Sequence, residues 1–95
     1  MINSFADKET EKIFLQIFSK KIPHQIQKVA VRRLFLIEMA QSYDDLLQPP
    51  SNHLEKLSGD YQGKWSIRIN DQYRIVFRPS DDWQKYYEVE IVDYH

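Results

Sequence analysis

Four cations and a three-residue ending are the parts of this sequence best suited to chemistry. Lys64, Arg68, Arg74 and Arg78 lie in two neighbouring stretches, Lys64-Trp65-Ser66-Ile67-Arg68-Ile69 and Tyr73-Arg74-Ile75-Val76-Phe77-Arg78. The chain closes on Asp93-Tyr94-His95, which offers a carboxylate, a phenol and an imidazole able to transfer protons near neutral pH. Clustered cations attract an anion, and an imidazole beside them can move a proton to or from it.

The two stretches each alternate apolar and polar residues, the period-two pattern of a half-buried strand. They read as a hairpin. A three-residue connection through Asn70, Asp71 and Gln72 pairs Ile69 with Tyr73, Ile67 with Ile75 and Trp65 with Phe77, so that all six face one core. A two-residue connection would split the apolar side chains between both faces. The chosen register leaves Lys64 opposite Arg78 and Arg68 opposite Arg74. Like charges directly across two strands destabilise by some tenths of a kcal/mol, so the cluster needs neutralising. An anion is one solution. The other lies in the same chain, because a last strand with Tyr87, Val89 and Ile91 on its apolar face carries Glu88 and Glu90 on the other. If it lies beside the hairpin, the cations belong to a solvated charge ladder, whose pairs are individually weak.

The ending also has two readings. Terminal residues are commonly poorly ordered, which makes Asp93-Tyr94-His95 a frayed tail. Alternatively it follows a central strand and is held in place. In a regular strand Tyr94 points with Glu88 and Glu90, and so can share a face with Arg74, whereas Asp93 and His95 point the other way.

Ninety-five residues make one domain with one core, and 42% hydrophobic with 14% aromatic residues is enough to fold alone. Thirteen Lys plus Arg against 14 Asp plus Glu give a net charge of −1, too little for a tight sequence-independent grip on free polynucleotide. With no cysteine, disulfide and thiolate chemistry are excluded. His24, His53 and His95 lack ligand spacing, so neither a metal site nor a cofactor is expected. The first residues are neither basic nor followed by a long apolar run, so no signal peptide or membrane span is expected and the anticipated compartment is the cytoplasm.

Along the chain, Ile2 to Phe5 reads as a short edge strand and Asp7 as the cap of a helix running to about Lys20, with Ile13, Phe14, Ile17 and Phe18 as its apolar stripe. Pro23 opens a second helix to about Ser42 that buries Ile26, Ala30, Leu34 and Ile37. Arg32 and Arg33 in its middle are expected to stay solvated or to pair with Asp44, Asp45 or a partner protein. Pro49-Pro50-Ser51-Asn52 is an extended crossing, and the polar segment after it is anchored by Leu54 and Leu57. This order predicts an α+β domain over residues 1–95, two N-terminal helices packed on one face of a small antiparallel sheet.

Several blocks together resemble a known family. Pro49-Pro50-Ser51-Asn52, Leu54-Glu55-Lys56-Leu57, Gly59-Asp60, the run from Gly63 to Ile75, and Val89-Glu90-Ile91-Val92-Asp93-Tyr94-His95 look like the HigB-type toxins of the RelE superfamily, also called plasmid maintenance killer proteins. The resemblance is dense in the second half and rests on element order in the first. It implies a ribosome-dependent messenger RNA endonuclease held inactive by a HigA-like antitoxin with a helix-turn-helix domain, in a toxin–antitoxin hetero-oligomer. Carried over by motif, the catalytic residues are Arg74, Asp93, Tyr94 and His95. The segment before the hairpin is also expected to touch RNA, through Lys56 and His53, alongside Lys64, Arg68 and Arg78 of the cationic face. The chain departs from the family at Glu55 and Ser58, where relatives often carry a histidine and a lysine, which shifts proton transfer towards the C-terminal residues.

RNA supplies its own nucleophile, the 2′-hydroxyl. Cleavage needs that oxygen in line with phosphorus, a base, an acid for the departing 5′-oxygen, and a cation for the phosphorane. No metal is required. Arg74 fits the charge-stabilising role through its planar fork, with Arg68 as neighbour. His95 suits proton transfer, Tyr94 stacking or weak acid catalysis, and Asp93 the orientation of one of them. Tyr73, Trp83 and Tyr86 are further candidates to stack on bases. The competing class is a binding module of the same fold that docks on a protein or a ribosome without cleaving.

Overall fold

Asp7 caps the first helix as the sequence predicts, accepting the backbone amide of Thr10 at 2.7 Å, but helix α1 spans only Lys8–Phe14. The computed structural model, which describes residues 1–94, shows why it stops. Gln16 takes a left-handed φ of 62°, its amide donates to the Ile13 carbonyl at 2.9 Å, and the Ile17 amide reaches back to Lys12 at 2.8 Å. This pair of reversed bonds is a Schellman ending, usually built on glycine. Built here on glutamine, it left no signal in the sequence. The expected stripe is therefore cut: Ile13 is buried and Phe14 half-buried, whereas Ile17 and Phe18 are exposed.

Helix α2, His24–Met39, buries Ile26, Ala30, Leu34 and Ile37 as expected. Gln27 steadies its start, donating to the Ser19 and Ile22 carbonyls at 2.7 Å each. A further short helix, α3, Tyr43–Leu46, is capped by Ser42. A 3-10 turn at Pro50–Asn52 then leads to strand β1, Glu55–Lys56. Three longer strands follow, β2 Trp65–Arg68, β3 Tyr73–Pro79 and β4 Tyr86–Asp93. They form one antiparallel sheet in the order β1-β2-β3-β4.

The hairpin register is the expected one, with Trp65 opposite Phe77, Ile67 opposite Ile75 and Arg68 opposite Arg74. The N-terminal segment bridges the outer edge of β4 in parallel, Ile2 to Tyr86 and Phe5 to Val89. One face of the sheet packs on the helices through Ile67, Ile75, Phe77, Val89 and Ile91. At that face the Ile91 amide donates to Thr10 Oγ1 of α1 at 2.9 Å, so a buried hydroxyl is paired rather than stranded.

The apolar face of β4 needs a correction. Val76 lies opposite Glu90 but Arg78 lies opposite Tyr87, so β4 carries an extra residue between them, and Glu88 there has a φ of 55°. This bulge shifts the alternation by one. Tyr86, not Tyr87, is the fully buried core residue, its hydroxyl on the Trp83 carbonyl at 2.5 Å. Trp83 in turn sits edge-on to Tyr43, Trp65 and Phe77. Tyr86 and Trp83 are thus core residues rather than platforms for bases, and half-buried Tyr73 also packs on the core. No helix among the described residues is long and apolar enough to cross a membrane.

Candidate active site

The sheet's other face collects the alternate residues of each strand: Glu55 of β1, Ser66 and Arg68 of β2, Arg74 and Val76 of β3, and Glu90 and Val92 of β4. Ser66 and Val76 are fully buried, so the floor of this face is closed to water. Arg74 lies across that floor. Its Nε donates to Ser66 Oγ at 2.7 Å and its Nη2 to the His53 carbonyl at 2.5 Å. Only 11% of the Arg74 side chain is exposed, and the half-exposed Glu55 carboxylate pairs with it at 3.7 Å. Burial lowers the pKa of Arg74 from the ordinary guanidinium value, a trend that Glu55 and Tyr94 oppose and Arg68 reinforces. A guanidinium remains charged nonetheless, so the site keeps a desolvated, oriented positive charge.

Two neighbours come from loops. His53 is exposed and left-handed, with φ 44° and ψ 57°, which turns its carbonyl onto Arg74. At the opposite end the hairpin turn holds the closing residues: the Tyr94 amide donates to the Gln72 carbonyl at 2.7 Å, and Gln72 Nε2 donates to Asp93 Oδ2 at 3.0 Å. Tyr94 is half-buried and couples electrostatically to Arg74. Asp93 lies opposite Tyr73 in the register and so belongs to the helix-facing side. His95 lies outside the described residues.

The remaining cations separate. Arg68 is paired with the exposed Asp71 of the turn and stays beside Arg74. Arg78, at the far end of β3, is held by Glu88 Oε1 at 2.7 and 2.9 Å and packs on the Tyr87 ring at 5.4 Å. Lys64 shares Glu88 at 4.0 Å. The charge ladder therefore exists, but only at this far end. Glu90, next along β4, has its pKa raised, chiefly by burial. Lys56 lies opposite Trp65 in the register, which puts it on the helix-facing side of the edge strand, away from Arg74. The site thus gathers Arg74, Arg68, His53 and Tyr94, and leaves Lys56, Lys64 and Arg78 at its margins.

The sequence does not single out Ser66, and it marks Glu55 only as a departure from the resembled family, not as a neighbour of Arg74. Ser66 shares the alternation of Arg68, so the same pattern contained it. Glu55 became a neighbour of Arg74 only through a two-residue strand too short to show a period.

Helices on one face of a four-stranded antiparallel sheet give the small α+β fold expected of a RelE-like toxin, and the comparisons agree. A family model described as RelE-like toxin of type II toxin-antitoxin system HigB matches residues 3–95. Toxin HigB-1 of Vibrio cholerae serotype O1 is 37% identical over 79 residues, 82% of this chain and 83% of that one. A crystal structure of a heterotetrameric YoeB-YefM toxin-antitoxin complex from Staphylococcus aureus shares the fold with a TM-score of 0.58 at 23% identity, over 100% of this chain and 98% of its own. The YoeB/ParE toxin from Agrobacterium tumefaciens does so at 0.51 and 19%, over 99% and 96%. The chain belongs to the HigB-like family of RelE-like toxins of type II toxin-antitoxin systems.

Proposed function

We propose that this toxin is an endoribonuclease that cuts messenger RNA on the translating ribosome. The observation that carries the reading is Arg74: a largely covered guanidinium oriented by the neutral oxygens of Ser66 and His53 on a buried floor, with the half-exposed Glu55 carboxylate loosely paired to it at 3.7 Å. A positive charge fixed in advance in a low-dielectric site stabilises a phosphorane far better than a solvated one. The 2′-oxygen attacks phosphorus, its proton passing to a base, and the bond to the 5′-oxygen breaks as that oxygen gains a proton. The products are a 2′,3′-cyclic phosphate and a 5′-hydroxyl end. Arg74 grips the non-bridging oxygens, Arg68 the adjoining charge, and Tyr94 stacks on or donates to the flanking nucleotide. His95 is assigned proton transfer, Asp93 its orientation, and His53, Lys56 and Lys64 the approach of the strand, while Arg78, the remaining cation of that face, stays committed to Glu88.

A net charge of −1 suits an enzyme that leaves capture of the message to the ribosome and works in the cytoplasm. The partner is a helix-turn-helix antitoxin, in a hetero-oligomer. Its docking is supported by Leu15, Ile17 and Phe18, each more than half exposed beside a groove lined by Ile13 and Val31. Exposed Lys28 lines that groove, which fits an acidic amphipathic segment of the antitoxin. The test of the nuclease reading is Arg74→Ala together with removal of Tyr94 and His95. Loss of message cleavage and growth arrest in both supports the assignment, and persistence in both refutes it.

A further inference from the structure

For Arg33 the sequence suggests solvation or a pair with Asp44, Asp45 or a partner protein, and within the chain it instead bonds Asn52 and Ser51. From the middle of α2 its Nη1 donates to Asn52 Oδ1 at 2.7 Å and its Nη2 to Ser51 Oγ at 3.2 Å. Its Nε is buried with no hydrogen-bond partner among the described residues. Burial lowers its pKa, and the charges of Arg32 and Arg68 lower it further, with no carboxylate among the causes. Placing a cation there costs stability that an apolar residue would not lose.

What Arg33 holds is the turn that orients Arg74. Asn52 is fully buried and its Nδ2 donates to the Leu46 and Gln48 carbonyls at 3.2 and 3.0 Å. The next residue, His53, presents its carbonyl to Arg74 Nη2 at 2.5 Å, and Glu55 stands 3.7 Å from the same guanidinium. Segment 51–55 is therefore gripped from the helix side by Arg33 and from the sheet side by Arg74. We propose that Arg33 is a positioning residue, which through Ser51 and Asn52 fixes the His53 carbonyl and so sets the orientation of the Arg74 guanidinium. The proposal rests on the reading of Arg74 as the phosphate-gripping group, and it predicts a fork requirement: lysine keeps the charge but cannot reach two acceptors in one plane.

The test pairs a geometric readout with a functional one. In the intact toxin the Arg74 Nε–H resonance should be distinct and slow to exchange, because Ser66 Oγ accepts it. In Arg33→Lys it should shift and exchange faster, and cleavage on translating ribosomes should fall about tenfold, the scale of a small misplacement in an active site. Ser51→Ala, which removes one exposed acceptor and leaves the fold intact, should produce a smaller change of the same kind, about twofold to threefold. If Arg33 acts through Arg74, Arg33→Lys added to Arg74→Lys should cost less than the product of the two single losses. An unchanged Arg74 resonance in Arg33→Lys, or losses that multiply in full, would overturn the proposal. Full cleavage by Arg74→Ala would instead overturn the assignment of Arg74 itself, which the resonance measurement does not depend on.

Discussion

Arg74 and Arg78 sit four residues apart on the same strand and the same face, and the fold treats them oppositely. Arg78 is half exposed, doubly bonded to Glu88 and stacked on Tyr87, an arginine whose charge is spent on a surface pair. Arg74 is largely covered, bonded to a serine and a carbonyl, and only loosely paired with the half-exposed Glu55 at 3.7 Å. The neighbours on β4 set this difference: Val92 lies opposite Arg74, whereas Glu88, in the bulge beside the far end of β3, holds Arg78. One strand thus has an end held in a tight charge pair and an end whose guanidinium is only loosely paired, and the second is the better placed to offer charge to a phosphate.

Substitutions along the strand should grade accordingly. Arg74→Ala should lower cleavage on translating ribosomes by about a hundredfold or more, the scale of losing one oriented donor to a developing anion. Ser66→Ala should follow with about a tenfold loss, because the guanidinium stays but its Nε anchor goes, with little change in melting temperature. Glu55→Gln should raise cleavage by at most about threefold, since a weak half-exposed counter-charge is removed. A collapse in Glu55→Gln would show that this carboxylate moves a proton and would end the contrast as drawn. Arg78→Ala should have the least effect, within about twofold, as expected of a surface ion pair.

The far end should announce itself in stability rather than activity. The bond from Arg78 holds the Glu88 carboxyl below its ordinary value of 4.5, with Lys64 adding to the effect. A carboxyl more acidic in the folded than in the unfolded chain stabilises above the unfolded value, and that contribution is lost as pH falls through the folded one. Glu88→Gln should therefore lose melting temperature near neutral pH and show a shallower fall on acidification, with cleavage unchanged. Glu90 behaves in reverse: burial raises its pKa, so its ionised form opposes folding as pH rises past 4.5, and Glu90→Gln should gain slightly at neutral pH.

Legibility in the sequence followed the period of each element. The hairpin register and the buried stripe of α2 came directly from alternation and helical spacing, because nothing interrupts either pattern. Arg74 and Tyr94 shared a face by the same parity. The failures are all places where one residue takes an unannounced backbone. Gln16 ends α1 early, and Glu88 swaps Tyr87 for Tyr86 in the core, both with positive φ on a residue other than glycine. Trp83, also with positive φ in a polar turn, folds back into the aromatic core. The grip of Arg33 on Asn52 spans 19 residues and has no local pattern to betray it.

The most direct measurement is mapping of message ends after brief expression of the intact toxin, beside Arg74→Ala and Arg78→Ala. The account predicts new 5′-hydroxyl ends within translated regions for the intact protein and Arg78→Ala, and none for Arg74→Ala. Ends that persist in Arg74→Ala, or growth arrest by the intact toxin with no new ends in any message, would contradict it.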